Sequence, residues 1–256
     1  MLTRHHILIT FIFWLIPCTA YQWTDPLVPV MALAGATAGT ILPDIHMKRP
    51  SRIRLLVLAW VLTRIGRILV MPLICVFYRV VAGINTSPGD KRLTHAVPGM
   101  ILYAILCATP FLVGALLFPI QPATLFLMVF SGGIVMGMSI HLVQDLCTRK
   151  GIMPLYPFSE LAVSGSIRPC DISDPRITRF HVLLVTAFCS FLIVQITAPP
   201  LFGYSAPACG FGIAGICLLI MVGQSGVEFS LQKVHPSLPQ QKTSGITGTD
   251  FSGSQR

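Results

Sequence analysis

Residues 139–159 read SIHLVQDLCTRKGIMPLYPFS and continue without a break from the apolar run ATLFLMVFSGGIVMGM. His141 and Asp145 stand four residues apart at the end of this membrane-length segment. On a helix that spacing puts both side chains on one face, with Cβ atoms about 5–6 Å apart, so the pair can reach one ion or one phosphate group. A simpler reading pairs Asp145 with Arg149, also four residues on, and leaves His141 to hydrogen-bond a neighbouring helix. Burying ionisable groups in a bilayer is costly, and such residues mark functional sites by default. Two other stretches carry the same residue types: LPDIH offers Asp44 and His46, and DKRLTH offers Asp90 and His95. Neutral imidazole with carboxylate is a ligand set for zinc, with manganese or iron as alternatives. Taken singly, LPDIH also reads as an ordinary capped turn and DKRLTH as a solvated charged loop.

The elements that must position these residues are membrane helices. Of the 256 residues, 54% are hydrophobic and only 11% charged, which leaves too little polar surface to cover a soluble domain. The composition predicts an all-α, polytopic helical membrane protein. Apolar runs over 7–21, 28–43, 98–118, 122–146, 181–198 and 207–227 give about six crossings. With six crossings all 18 Lys and Arg fall on one side or at its membrane boundary, so that side is expected to be cytoplasmic. Both termini, LPDIH, DKRLTH and the end of the His141 helix lie on it, which places the three clusters at one face of an inner (cytoplasmic) membrane. The net charge of +9 then reflects topology and attraction to anionic lipid headgroups, and no nucleic-acid partner is expected.

Between the second and third crossings, SRIRLLVLAWVLTRIGRILVMPLICVFYRVV is interrupted by Arg52, Arg54, Arg64, Arg67 and Arg79. Its uncharged stretches are too short to span, so it is expected to form helices lying in the cytoplasmic interface, a re-entrant hairpin being the competing arrangement. The His141 helix is expected to run from Ala123 to Lys150 and stop at Gly151. With its apolar part centred near Gly132, His141 lies about 13 Å along the axis, close to the hydrocarbon edge. Residues 1–231 read as one integral-membrane domain and 232–256 as a disordered polar tail. The first 20 residues also have the layout of a signal peptide, although His5 and His6 at the cytoplasmic edge favour a retained helix. Eight cysteines without a CxxC pair, most of them inside apolar runs, read as small buried hydrophobes.

LPDIH, the TH of DKRLTH and the long stretch after Gly137 resemble the motifs of the YdjM-type membrane-bound metal-dependent hydrolases. The third match is the densest, with His141, Asp145, Thr148, Gly151, Leu155, Pro157, Phe158 and Ser159 in register. The resemblance spans roughly residues 30–160, and His5 or His6 matches a histidine that the family tends to carry. It implies a helical metal site related to the zinc-dependent phospholipase C and P1 nuclease group, and so hydrolysis of a small-molecule or lipid phosphoester. Asp44, His95, His141 and Asp145 match the expected ligand positions. The chain departs from the pattern where His46 replaces an Asp, Met47 a His, and Asp90 a His. Either the site is degenerate and inactive, or His46 and Asp90 have exchanged ligand types across one pocket, giving the full expected set Asp44, His46, Asp90, His95, His141 and Asp145.

Such a site would use a metal-acidified water as nucleophile, with Asp44 or Asp145 as its proton acceptor when not a ligand. Lys91, Arg92, Arg149 and Lys150 could hold an anionic headgroup, or could serve only as positive-inside anchors. Three rivals bear comparison. Lipid phosphatases also place HxxxD on a membrane helix, but they need an Arg six residues before the His, where this chain has Val135. A transporter or scaffold would spread its ionisable residues through the membrane depth, whereas here they gather at one face. No HExxH, GxSxG or P-loop motif supports a metalloprotease, a serine hydrolase or a nucleotide-driven machine.

Overall fold

Segments this apolar must satisfy their own backbone polar groups, and the helix is the one local way to do so. The computed structural model describes residues 3–20, 25–46, 61, 64–118, 123–169, 171, 174–198 and 206–231. Among the described residues there are seven α-helices: α1 (Thr3–Ala20), α2 (Leu27–Ile41), α3 (Met71–Ala82), α4 (Val97–Leu117), α5 (Ala123–Leu146), α6 (Arg176–Thr197) and α7 (Ala206–Ser225). A tight turn of helix, Leu42–His46, extends α2, and a wider π-helical turn, Gly66–Val70, runs into α3. Five of these helical segments are long and apolar enough to cross a membrane: 27–44, α4, α5, α6 and α7. The expected sixth crossing is the 18-residue α1, which falls outside that set because Arg4, His5 and His6 occupy its first turns. The polar tail after residue 231 and the stretch 51–60 lie outside the described residues.

The packing of α2 against α5 positions the site. Gly35 and Gly39 on α2 face Gly133 and Gly137 on α5, two four-residue spacings of the kind that let membrane helices touch backbone to backbone. A Cβ at Gly35 would collide with the carbonyl of Phe130, one at Gly39 with that of Ile134, and one at Gly137 with that of Ala36. Thr40 reinforces the contact: its hydroxyl donates to Ala36 O at 2.8 Å, and Gly137 O of α5 lies 3.4 Å away. Thr10 of α1 meets the same hydroxyl at 3.0 Å, so three helices share one buried polar point. On the other side of α1, Gly210 of α7 rests on the backbone of Pro17.

The core divides around these contacts. One apolar cluster joins α2, α3, α4 and α5 through Leu42, Ile74, Tyr78, Tyr103 and Phe130; the other joins α1, α6 and α7 through Ile9, Ile16, Leu184 and Met221. Six of the seven described cysteines lie within helices, four of them in α4, α6 and α7, as expected of small apolar fillers.

The end of α5 differs from the sequence expectation. The helix stops at Leu146 rather than Lys150, because the chain beyond it finds partners outside the helix. Thr148 folds back, its hydroxyl donating to Asp145 O at 2.7 Å, while Arg149 N donates to Ile167 O and Ile152 pairs with Val163. Gly151, at φ 60°, turns the chain where any side chain would strike the carbonyl of Val163. This segment leads to a small antiparallel sheet, β1 (Leu161–Ser164) with β2 (Glu228–Leu231), which the helical pattern of the sequence did not signal.

Replacing Gly137 with Leu should separate α2 from α5, because the groups it meets are backbone and cannot swing aside. The expected cost is at least roughly 3 kcal/mol, the upper end for overpacking. Gly132→Ala, on a face where an added Cβ meets nothing, should leave the melting temperature in detergent unchanged.

Candidate metal centre

Each part of the site comes from the end of a helix or from the turn or loop beside it. The turn following α2 carries Asp44, the loop before α4 carries His95, the last turns of α5 carry His141 and Asp145, and α1 adds His6. Around Asp145 the distances are short: His6 Nε2 to Oδ1 is 3.4 Å, His95 Nε2 to Oδ2 is 3.2 Å and His141 Nε2 to Oδ2 is 3.6 Å. Asp44 Oδ1 lies 3.6 Å from His95 Nε2 and 4.0 Å from His141 Nε2. The His6 and His141 rings stack with centroids 4.1 Å apart, and the His95 ring meets His141 edge-on. All five side chains are at most 7% exposed.

The orientation of these groups fits a cation. His95 Nδ1 lies 3.0 Å from the carbonyl of Lys91; a carbonyl only accepts, so Nδ1 carries a proton and Nε2 is the ring atom turned toward the carboxylates. Although the Nε2 atoms of His6, His95 and His141 lie close to carboxylate oxygens, none completes a hydrogen bond, and neither does Asp44 Oδ2. Buried polar atoms left this way cost roughly 1–3 kcal/mol each, a cost that coordination removes. Two triads, His6 with Asp44 and His141, and His95 with His141 and Asp145, each bring their donor atoms within 4.8 Å of one another. His141 belongs to both. Burial disfavours a charged His95, but the carboxylates of Asp145 and Asp44 outweigh it and hold its pKa above the ordinary imidazole value. The cluster thus draws positive charge inward.

Lys91 Nζ stands 3.6 Å from both Asp44 Oδ1 and Asp145 Oδ2, with its side chain half exposed. Beside it a cavity of about 250 Å³ opens onto His95 and Asp145 and is lined by Lys91, Arg92 and Lys150.

Of the residues expected from the sequence, the structure brings Asp44, His95, His141 and Asp145 together and leaves Asp90 apart. Asp90 caps the turn Lys91–Leu93, accepting from Arg92 N at 3.0 Å, and its carboxylate takes the Arg92 guanidinium at 2.8 Å. An Arg two residues away neutralises it locally, so the exchange of ligand types with His46 has no Asp90 partner at the centre. That hydrogen bonding holds the Arg92 pKa above its ordinary value. The side chain of His46 lies outside the described residues.

His6 is the member that motif reading left undecided. His5 faces His181 of α6, with ring centroids 5.5 Å apart, while His6 points into the bundle. The buried face of α1 runs through His6, Ile9, Phe13 and Ile16, a helical spacing that separates the two histidines once the face is known. Gln144 of α5 lies 3.5 Å from the carbonyl of His6 and from Thr10 Oγ1, tying α1 to the helix that carries His141.

Fold and site together define a polytopic helical membrane protein whose buried His and Asp groups are able to hold a metal ion. The chain belongs to the YdjM inner membrane protein family, whose model matches residues 1–226. No curated protein and no solved structure matches it.

Ligand roles can be read by elemental analysis of protein purified in detergent. His95→Ala, His141→Ala and Asp145→Ala should each lower bound metal at least about tenfold, and His6→Ala should do so to a similar or smaller degree. Asp90→Asn, which alters the contacts with Arg92 and Tyr156 but none at the cluster, should keep the wild-type metal content.

Proposed function

We propose that the protein is a divalent-metal-dependent hydrolase of a phosphoester, working where the helical bundle meets the cytoplasmic face of the inner membrane. The observation that carries this reading is the cavity in which His95 and Asp145 share walls with Lys91, Arg92 and Lys150. A ligand set of imidazoles and carboxylates beside three cationic side chains suits an anionic substrate held against a metal. Zinc fits the donor set best, with manganese or iron as alternatives.

A bound ion would supply Lewis acidity, lowering the pKa of water toward neutrality and drawing charge from a phosphoryl oxygen. The chain's own residues do the rest. His6, His95 and His141 donate nitrogen, and the Nδ1–H of His95 is fixed by the Lys91 carbonyl. Asp44 and Asp145 offer more oxygen atoms than one ion needs, so one of them can accept the proton of the attacking water. Lys91, Arg92 and Lys150 neutralise the phosphate and orient it. The closed bundle of α1, α2 and α5 behind the histidines keeps bulk water to the open side.

A site that uses His6 needs α1 to remain in place, and the charge distribution then puts both termini in the cytoplasm. An ion-transport reading draws on a different observation: Thr10, Thr40 and Gln144 form a fully buried polar chain running inward from His6. Those groups are uncharged and end within the helix packing, which favours a role in holding α1.

Metal-loaded protein should hydrolyse a chromogenic phosphodiester or a phospholipid; a chelator should abolish the activity, and Asp145→Asn should lower kcat by about 100-fold or more. Lys91→Ala should act mainly on KM. Full metal loading with no turnover on either substrate class, together with metal uptake into proteoliposomes, would replace hydrolysis with transport. Reporter fusions after residue 231 should read as cytoplasmic.

A further inference from the structure

The segment from the π-helical turn through α3 is amphipathic in an unusual setting. Its inner face, Val70, Met71, Ile74 and Tyr78, is buried, while Leu69, Leu73, Val76 and Val80 form an outer apolar face at helical spacing. Val80 is 78% exposed and Leu69 58%. Arg67 and Arg79 are exposed on the same segment.

Both ends of this segment rest on the edge of the bundle that holds the site. Its start packs against the turn Leu42–His46, which carries Asp44. At its other end, Tyr78 reaches the start of α4 at Gly99 and stacks edge-on with Phe158, centroids 6.3 Å apart. A helix anchored at both ends to one membrane boundary lies along that boundary instead of crossing it, and arginines flanking an outward apolar face suit the headgroup level.

The chain 152–158 connects this helix to the cavity. Ile152 and Met153 line the cavity; Pro154 O accepts from Val97 N at 2.7 Å; Tyr156 lies under the Arg92 guanidinium, 4.6 Å from its ring centroid. Leu155 and Phe158 stay exposed, Phe158 at 59%. Phe158 and Leu155 thus form a short exposed apolar strip between the Tyr78 contact with α3 and the cavity wall at Met153, beside a mouth lined by Lys91, Arg92 and Lys150.

We infer that the ligand of this site is a lipid bearing a phosphate headgroup, which enters sideways from the cytoplasmic leaflet with its acyl chains laid on α3 and Phe158. The inference rests on the anion-binding role given above to the cationic mouth. A soluble phosphoester would need that mouth alone; the apolar strip joined to it matches an amphiphile. Charge complementarity selects the headgroup, and the strip selects the tail.

The test is lipid retention by the full, metal-loaded chain. The protein is held in a phosphate-free maltoside detergent and offered phosphatidylglycerol or, separately, diacylglycerol, and the lipid kept on transfer to the gas phase is identified by native mass spectrometry. Phosphatidylglycerol should be retained in preference to diacylglycerol, and excess glycerol 3-phosphate should not displace it. Val80→Asp and Phe158→Asp should each cut retention about fivefold or more, with metal content and melting temperature unchanged. Equal retention of diacylglycerol, displacement by glycerol 3-phosphate, or full retention in both well-folded variants would each overturn the inference. Hydrolysis of soluble phosphoesters without lipid retention would remove this inference alone; retention without turnover would keep it and remove the hydrolase reading.

Discussion

The backbone contact between α2 and α5 is the constraint on which the rest of the structure depends. Asp44 follows α2 by three residues, and His141 and Asp145 lie in the last two turns of α5, so the distance between these helices sets the distance between the ligands. Glycine at 35, 39, 133 and 137 lets the two axes approach until carbonyl oxygens touch Cα atoms. Without an aqueous hydrophobic effect between lipid-solvated helices, close packing and a few interhelical hydrogen bonds hold such a pair. Thr40 supplies the hydrogen bonds and extends them to Thr10, so the same contact also sets the rotation of α1 that turns His6 inward.

Charge explains why the cluster sits at the end of the bundle. Two carboxylates and three imidazoles with almost no exposure would be expensive anywhere in hydrocarbon. At the boundary, Lys91 reaches the carboxylates from the solvent side, and a cavity gives the outer half of the cluster access to water and ligands. Asp90 shows the contrasting solution. Exposed to Arg92 two residues away, it is satisfied within its own turn, and that pairing stiffens the loop that presents His95 and Lys91. A residue type expected at the centre thus serves as a scaffold for its neighbours.

Sequence periodicity and charge were enough to read an all-α membrane protein, five of its crossings to within a few residues, and the shared face of the three polar clusters. The i, i+4 spacing of His141 and Asp145 is a local property of a helix, and the structure keeps it. Where the expectation for α5 overshot, the cause was non-local: Thr148 and Arg149 are ordinary helix residues until Ile167 and Val163, farther along the chain, offer them other hydrogen bonds. The two-stranded sheet was hidden for the same reason, since β1 finds β2 only across more than sixty residues.

The amino-acid sequence by itself determined which segments are long and apolar enough to cross a membrane and which residue types could bind a metal, because hydropathy and helical spacing act locally. Tertiary structure alone decided that His6 and not His5 joins Asp44, His95, His141 and Asp145, and that Asp90 turns away to Arg92. Those choices depend on the rotation of α1 and on the path of the loop before α4. Both are set by contacts between residues far apart in the chain, which no local pattern encodes.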